Sequence, residues 1–398
     1  MLSAGNARSF QPRWIKKPVE QNRSCKRVGA SLMDKKIHFA MIGGFLGAGK
    51  TTCIARLAAH FTEQGKRVAI VTNDQAFDLV DTHHLRAQGF EVGEVPGSCF
   101  CCKFDDLLAV TSRLSEEHLP DIILAEPVGS CTDLMATVIQ PMRHLYGERF
   151  QLGPLAVLLK PEHGRKILRE ESGVGFSPKA AYIFLKQIEE ADVIAINKVD
   201  KLAPGDRDEL VRLVEKRFPN KKAICVSGRS GENFEQLIAF VEQPSERNEP
   251  SMEVDYDIYA EGEAELGWLN CQLALKANAA ERFELDLAVV QLVDNLRALL
   301  AENDAEPAHL KVMGQYKSDA AVANLVDSAS PAELSLASEI RVPEADLIVN
   351  ARVAIDPELL ENVIRDAAAR LAENLNLTFI ISGVQSFRPG RPVPTHRM

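Results

Sequence analysis

Gly43-Gly44-Phe45-Leu46-Gly47-Ala48-Gly49-Lys50-Thr51-Thr52 is the stretch that decides how this chain reads. Ahead of it, Ile37, Phe39, Met41 and Ile42 have the content of a short buried strand; behind it, Ile54, Leu57, Ala58 and Phe61 recur at helical spacing. The window from Gly44 to Thr51 fits G-x-x-x-x-G-K-[ST] in the strand–turn–helix setting that gives this pattern meaning. Gly44, Gly47, Ala48 and Gly49 let the backbone fold around phosphates with its N–H groups inward, and the helix entered at Lys50, Thr51 and Thr52 adds partial positive charge. Lys50 can reach the β- and γ-phosphates, and the Thr51 hydroxyl can ligate Mg²⁺. The stretch predicts a nucleoside triphosphate site.

Outward from the loop, residues 37–245 alternate strand-like and helix-like segments, which predicts a doubly wound, mostly parallel α/β sheet of the P-loop NTPase kind. Arg67–Thr72 reads as a strand ending at Asn73-Asp74, Phe90–Val95 runs into the cysteine loop, and Asp121–Ala125 ends at Glu126. Val193–Ile196 ends at Asn197, and Ala223–Val226 leads to Ser227. Nearly every candidate site therefore falls just past the carboxyl end of a strand, where open α/β sheets place ligands. Residues 246–253, with Pro250, read as a linker. Residues 254–388 follow a β-α-β-β-α-β order, which predicts a smaller ferredoxin-like α+β domain, with Ser318–Glu339 as a polar connection between its halves. Residues 389–398 read as an extended basic tail.

Asn197-Lys198-Val199-Asp200 narrows the nucleotide. A carboxylate there can accept from the N1–H and 2-amino groups of guanine, which adenine does not offer. Losing a buried hydrogen bond to a charged group costs about 1.5–3 kcal/mol, enough to discriminate bases. Asn197 can touch the base edge, the Lys198 stem can lie over its face, and Ser227-Gly228 can offer backbone N–H groups. Asp74 and Glu126 are candidate Mg²⁺ or water ligands, and either can orient the attacking water. Gly129 lets its N–H approach the γ-phosphate, the arrangement of a loop that relaxes on hydrolysis.

Cys99, Cys101 and Cys102 lie within four positions on a loop ahead of Lys103. Three thiolates suit Zn²⁺, Co²⁺ or Cu(I), with Lys103 favouring the charged form; an apolar structural trio and a redox pair are the competing readings. Cys131 can supplement the set, but its setting favours core packing, as do those of Cys53, Cys225 and Cys271. His83-His84 reads as surface.

Bulk properties set outer bounds. With 46% apolar residues in 398, two cores can be built. A net charge of −10 argues against non-specific nucleic-acid binding, and no apolar run is long enough for a transmembrane helix. Eight cysteines with three clustered suit a reduced, cytoplasmic compartment. Residues 1–36 carry nine Lys/Arg against Glu20 and Asp34; a basic flexible leader, a targeting peptide and translation from Met33 all fit.

Taken together, the glycine loop, Thr72-Asn73-Asp74, C-x-C-C at Cys99–Cys102, Glu126-x-x-Gly129 and Asn197–Asp200 resemble the CobW/HypB/UreG family of P-loop GTPases. The end of the second strand, Asn-Asp, is closer to the HypB and UreG branches, and the His-rich loop of some zinc- and cobalt-handling members is absent. The resemblance implies a slow GTPase that uses Mg²⁺ and supplies Zn²⁺ or Co²⁺ to a client metalloenzyme or a cobalamin-dependent protein, with a second copy of the chain as a further expected partner. It puts Lys50, Thr51, Asp74 and Glu126 at phosphate, Mg²⁺ and water, Asp200 at guanine and the three cysteines at the transferred metal. Two rival readings are a GTP-gated assembly module for a cobalamin-dependent enzyme that carries no metal, and a P-loop kinase, against which Asn197–Asp200 argues.

Overall fold

The computed structural model describes residues 35–74, 80–169, 177–245, 252–278, 281–325, 328 and 330–398, apart from the Asp74 side chain. The expected leader and linker therefore lie almost wholly outside the described residues.

The first half contains β1 (Ile37–Gly44), α1 (Lys50–Glu63), β2 (Val68–Asp74), α2 (Val80–Ala87), β3 (Glu91–Pro96), α3 (Phe104–His118) and β4 (Ile122–Glu126). It continues with α4 (Gln140–Tyr146), β5 (Phe150–Leu152), β6 (Ala156–Leu159), α5 (Pro161–Leu168), α6 (Pro178–Glu190), β7 (Val193–Ile196), α7 (Pro204–Arg217), β8 (Lys222–Cys225) and α8 (Phe234–Val241). The strands form a parallel sheet ordered β3-β2-β4-β1-β6-β7-β8, with β5 also paired to β1. Helices cover both faces. Along β1, Phe39 and Met41 enter one core while Ala40 and Ile42 enter the other, the period-2 alternation of a strand buried on both sides. Burying each such large side chain is worth about 1.5–3 kcal/mol. The strand order reverses at β1, so the loop after β1 stands at the switch point of the sheet.

The second half contains α9 (Tyr256–Ala264), β9 (Gly267–Ala277), β10 (Phe283–Glu284), α10 (Leu285–Glu302), β11 (Pro307–Tyr316), β12 (Asp319–Leu325), β13 (Glu333–Leu336), β14 (Arg341–Val342), β15 (Glu344–Val353), α11 (Pro357–Leu375) and β16 (Leu377–Phe387). Its main sheet is antiparallel, ordered β13-β12-β11-β15-β9-β16. Taking β9, β11, β15 and β16 as strands one to four gives the order 2-3-1-4, the split β-α-β arrangement, with α10 and α11 on one face. Two details differ from expectation. The start of the stretch Val254–Leu275 is helical, as α9; its N-cap Asp255 accepts from the Asp257 and Ile258 N–H groups. The segment Ser318–Glu339 is not merely a connection: β12 and β13 extend the sheet beyond β11. The basic tail packs back on the first half, with the Met398 N–H donating to the Ala136 carbonyl (2.9 Å).

α2 joins the two halves. The Val80 N–H donates to Asn350 Oδ1 on β15 at 2.8 Å, and the Val80 side chain packs with Met313 and Val322. The second sheet thus caps the helix that faces the glycine loop.

Candidate functional site

The loop after β1 turns through left-handed glycines, Gly47 at φ 72° and Gly49 at φ 92°. At Gly49 a Cβ would also lie 2.6 Å from Asn197 Nδ2, so this position admits only glycine without rearrangement. Asn197 ties the loop down: its Nδ2 donates to the Ala48 carbonyl (2.8 Å) and its Oδ1 accepts from the Gly228 N–H (2.9 Å). Both ends of the amide are engaged in positioning, which differs from the expected contact with a base edge. Lys198, at φ 62°, lies against Gly49; burial first, then the neighbouring Lys160, lowers its ammonium to about 7. Asp200 is exposed at the cavity rim and accepts from the buried Ser227 hydroxyl at 2.6 Å. Ser227 therefore orients the carboxylate through its side chain.

Lys50 Nζ, buried, donates to the Gly44 carbonyl at 3.0 Å. The Thr51 hydroxyl donates to Glu126 Oε1 at 3.0 Å, and Glu126 Oε2 is buried without a hydrogen-bond partner among the described residues. Burial, then repulsion from Asp81, raises the Glu126 carboxyl to about 7. Asp74 closes β2, and its side chain lies outside the described residues. Asp81 on α2 is an addition that the sequence reading missed: its carboxylate lines the same cavity and accepts from the Lys311 ammonium of β11. Burial would push this acid up, but Lys311 outweighs it and holds Asp81 below the ordinary carboxylate range. Thr51, Glu126 and Asp81 offer three hard oxygen donors around an orphaned carboxylate oxygen, a set that fits Mg²⁺.

The second sheet roofs this region. A cavity of about 470 Å³ is lined by the glycine loop, Glu126–Gly129 and Asn197–Asp200 on one side, and by His309, Lys311, Asn324 and Leu334–Ala337 on the other. Glu333 on β13 pairs with Arg229 and, at 3.1 Å, with Lys201, closing the rim beside Asp200. His84 also lines the cavity rather than lying on the surface, and burial lowers its imidazole to about 4.

The three cysteines stand on a tight turn in which the Cys102 and Lys103 N–H groups both donate to the Cys99 carbonyl (3.0 Å). Their sulfurs are mutually within 4.8 Å: Cys99 to Cys101 2.8 Å, Cys99 to Cys102 3.2 Å and Cys101 to Cys102 3.8 Å. Cys101, then Cys102 and Cys131, hydrogen-bond the Cys99 sulfur and hold it well below the ordinary thiol value; Cys101 is correspondingly raised. Lys103, expected to favour the thiolate, instead pairs with Asp106 at 3.3 Å. Cys99 and Cys101 are buried although they lie on a loop, and the C-terminal tail runs against the turn that bears them. The Val393 N–H donates to Cys102 Sγ (3.2 Å) and the Thr395 N–H to the Cys101 carbonyl (2.8 Å). Farther along, Arg397 pairs with the buried Asp133 at 2.8 Å, and the His396 ring packs edge-on to Phe104.

The two sites share a strut. Asn73, at the end of β2 and lining the cavity, donates through Nδ2 to the Val95 and Ser98 carbonyls (2.8 and 2.7 Å). Its Oδ1 accepts from the Phe100 N–H at 2.8 Å. One amide therefore fixes the cysteine loop from the nucleotide side.

Residues 38–225 match the family model described as "CobW/HypB/UreG, nucleotide-binding domain". The chain is 30% identical over 178 residues to the zinc chaperone YeiR of Escherichia coli (43% of this chain, 49% of YeiR). It is 26% identical over 216 residues to the zinc chaperone CobW of a Sinorhizobium species (50% and 60%). The urease accessory protein UreG of Metallosphaera sedula is 24% identical over 216 residues (50% and 90%). The match thus spans about half the length of the zinc chaperones it resembles. Among the described residues no helix is long and apolar enough to cross a membrane. The glycine loop, the Asn197–Asp200 loop and the cysteine turn all fall inside the matched span, so residues 38–225 carry a nucleotide-binding domain of the CobW/HypB/UreG kind.

Proposed function

We propose that the chain is a GTP-hydrolysing metallochaperone that binds a thiophilic divalent metal, zinc foremost, at Cys99, Cys101 and Cys102 and hands it to a client metalloenzyme. The observation that carries this reading is Asn73, whose amide joins the nucleotide cavity to the cysteine turn through three hydrogen bonds. The two zinc chaperones among the relatives support zinc as the cargo.

In this reading Lys50 and the α1 N-terminus hold the β- and γ-phosphates, Gly129 presents its N–H to the γ-phosphate, and Asp200, oriented by Ser227, selects guanine. Thr51, Glu126 and Asp81 would hold Mg²⁺, which when bound would offset phosphate charge. Glu126, its carboxyl raised toward neutrality, is placed to take a proton from the attacking water. Changes at Gly129 and α2 pass through Asn73 to the thiolates, so that the metal is held in one nucleotide state and exchanged in another. The division into a GTPase unit at 37–245 and a second unit at 254–388 that roofs the nucleotide belongs to the same proposal.

The test pairs two variants. Lys50→Ala abolishes Mg²⁺-dependent GTP hydrolysis, and the triple Cys99/Cys101/Cys102→Ser variant retains GTP binding but loses zinc. Zinc binding unaffected by the triple replacement sinks the metal site, and hydrolysis unaffected by Lys50→Ala sinks the enzyme.

A further inference from the structure

We infer that Lys311, carried on β11 of the second half, is a catalytic lysine supplied in cis: it leaves Asp81 to bind the γ-phosphate of GTP. The inference rests on the GTPase reading and is independent of the metal cargo.

Strand alternation decides which side chains face the site. Along β11, Leu310 and Val312 enter the core that α10 and α11 cover, so His309, Lys311 and Met313 face the other way. That other side is the first half. His309 and Lys311 line the nucleotide cavity, and Met313 packs with Val80 of α2. The register extends the placement across the sheet: Lys311 stands between Asn324 on β12 and Asn350 on β15. Asn324 also lines the cavity, while Asn350 accepts from the Val80 N–H. A sheet face left over after its helices are packed is ordinarily given to water; this one is turned onto the glycine loop.

The approach is close. At Gly47, whose φ is 72°, a Cβ would stand 3.2 Å from the Ala308 carbonyl oxygen, so β11 begins directly against the phosphate loop. Ala308 itself is buried in the core of the first half. From this anchor the strand carries the Lys311 ammonium to the Asp81 carboxylate.

Asp81 is the fixed partner of that pair. Its neighbours hold it from two sides: the Val80 N–H is on Asn350 (2.8 Å), and the Thr82 hydroxyl bonds that of Thr72 on β2 (2.7 Å). Lys311 is the movable one, an ammonium with three donors on a flexible four-carbon stem. The two side chains are 20% and 22% exposed, so water reaches the pair and a phosphate can displace it without opening a core.

The charges call for such a donor. Asp81 and Glu126 set carboxylates beside a site for a polyanion, with Lys50 as one cation against them; a second ammonium offsets the repulsion. In hydrolysis a water oxygen bonds the γ-phosphorus, and the bond from that phosphorus to the β–γ bridging oxygen breaks. The electron pair leaves on GDP, and the water's proton passes to Glu126 and then to solvent. Lys311 keeps its own protons and donates to the γ-oxygens, where negative charge is spread in the transition state. Release of phosphate returns it to Asp81, so the second sheet registers whether a γ-phosphate is present.

The test compares the full wild-type chain with Lys311→Met, Mg²⁺ present throughout. Affinities for GDP and for a non-hydrolysable GTP analogue are measured, together with kcat and KM for GTP. Lys311→Met is expected to weaken the analogue by about 10- to 100-fold, to hold GDP within about threefold and to lower kcat by about 100-fold or more. A residue that merely ties the halves together would shift GDP and analogue alike. Wild type alone gives a second reading that needs no variant to fold: acetic anhydride labelling, followed by peptide mass spectrometry, should modify Lys311 severalfold more slowly with the analogue than with GDP. Equal loss of both nucleotides, unchanged analogue affinity and kcat, or equal labelling in the two states overturns the inference and leaves the GTPase reading standing. Wild type that binds neither nucleotide fails that reading, and the inference with it.

Discussion

Gly129→Ala is the smallest change that isolates the phosphate end of the account. The added methyl would meet Leu46 Cδ2 at 2.7 Å and Lys50 Nζ at 3.0 Å, whereas carbon contacts relax to about 3.5–4.0 Å. Something must move by about half an ångström to one ångström, and both neighbours are the tips of flexible side chains. Lys50 is the costly one, because its ammonium is already fixed by the Gly44 carbonyl and has little free space. Displacing it forfeits one charge-assisted hydrogen bond to phosphate, about 1.5–3 kcal/mol, or about 10- to 150-fold in GTP affinity. Overpacking costs the fold about 1–3 kcal/mol in addition. Equilibrium titration with a fluorescent GTP analogue reads the first quantity, and thermal unfolding without nucleotide reads the second. A folded variant that binds within threefold of wild type would refute the placement of Gly129 beside the γ-phosphate.

Three further outcomes follow from other parts of the molecule. Asp200→Asn exchanges an acceptor for an amide and should weaken GTP by about 10- to 150-fold while favouring xanthosine triphosphate, checked by competition binding. Glu190, buried under the Met135 N–H, has its carboxyl raised by burial from 4.5 to about 8. The native fold therefore keeps a proton that the unfolded chain has lost, so stability is fullest below pH 4.5 and declines up to about pH 8, by about 1.4 kcal/mol per unit. Glu190→Gln should flatten that slope in denaturant melts at stepped pH. Deleting residues 390–398 removes the N–H donor to Cys102 and the cover over Cys101, and should speed zinc capture by a competing chelator severalfold in stopped flow.

Local chemistry made part of this molecule legible in advance. The glycine loop, the cysteine turn and the Asn197–Asp200 loop each announce themselves within ten residues, and the alternating pattern places them at strand ends. What escaped was set by long-range contacts. Asp81 looks like an ordinary helical acid until β11 brings Lys311 against it across 230 positions. The segment 318–339 supplies β12 and β13, which line the cavity, but its Ala- and Ser-rich sequence reads as a loop.

The central claim is that nucleotide and metal are coupled, and zinc affinity measured by competition with a chromophoric chelator tests it most directly. The same preparation is titrated with a non-hydrolysable GTP analogue, with GDP and with no nucleotide, Mg²⁺ present throughout. The account predicts that the analogue and GDP states differ by at least about tenfold, 1.4 kcal/mol of coupling; equal affinities in all three would contradict it.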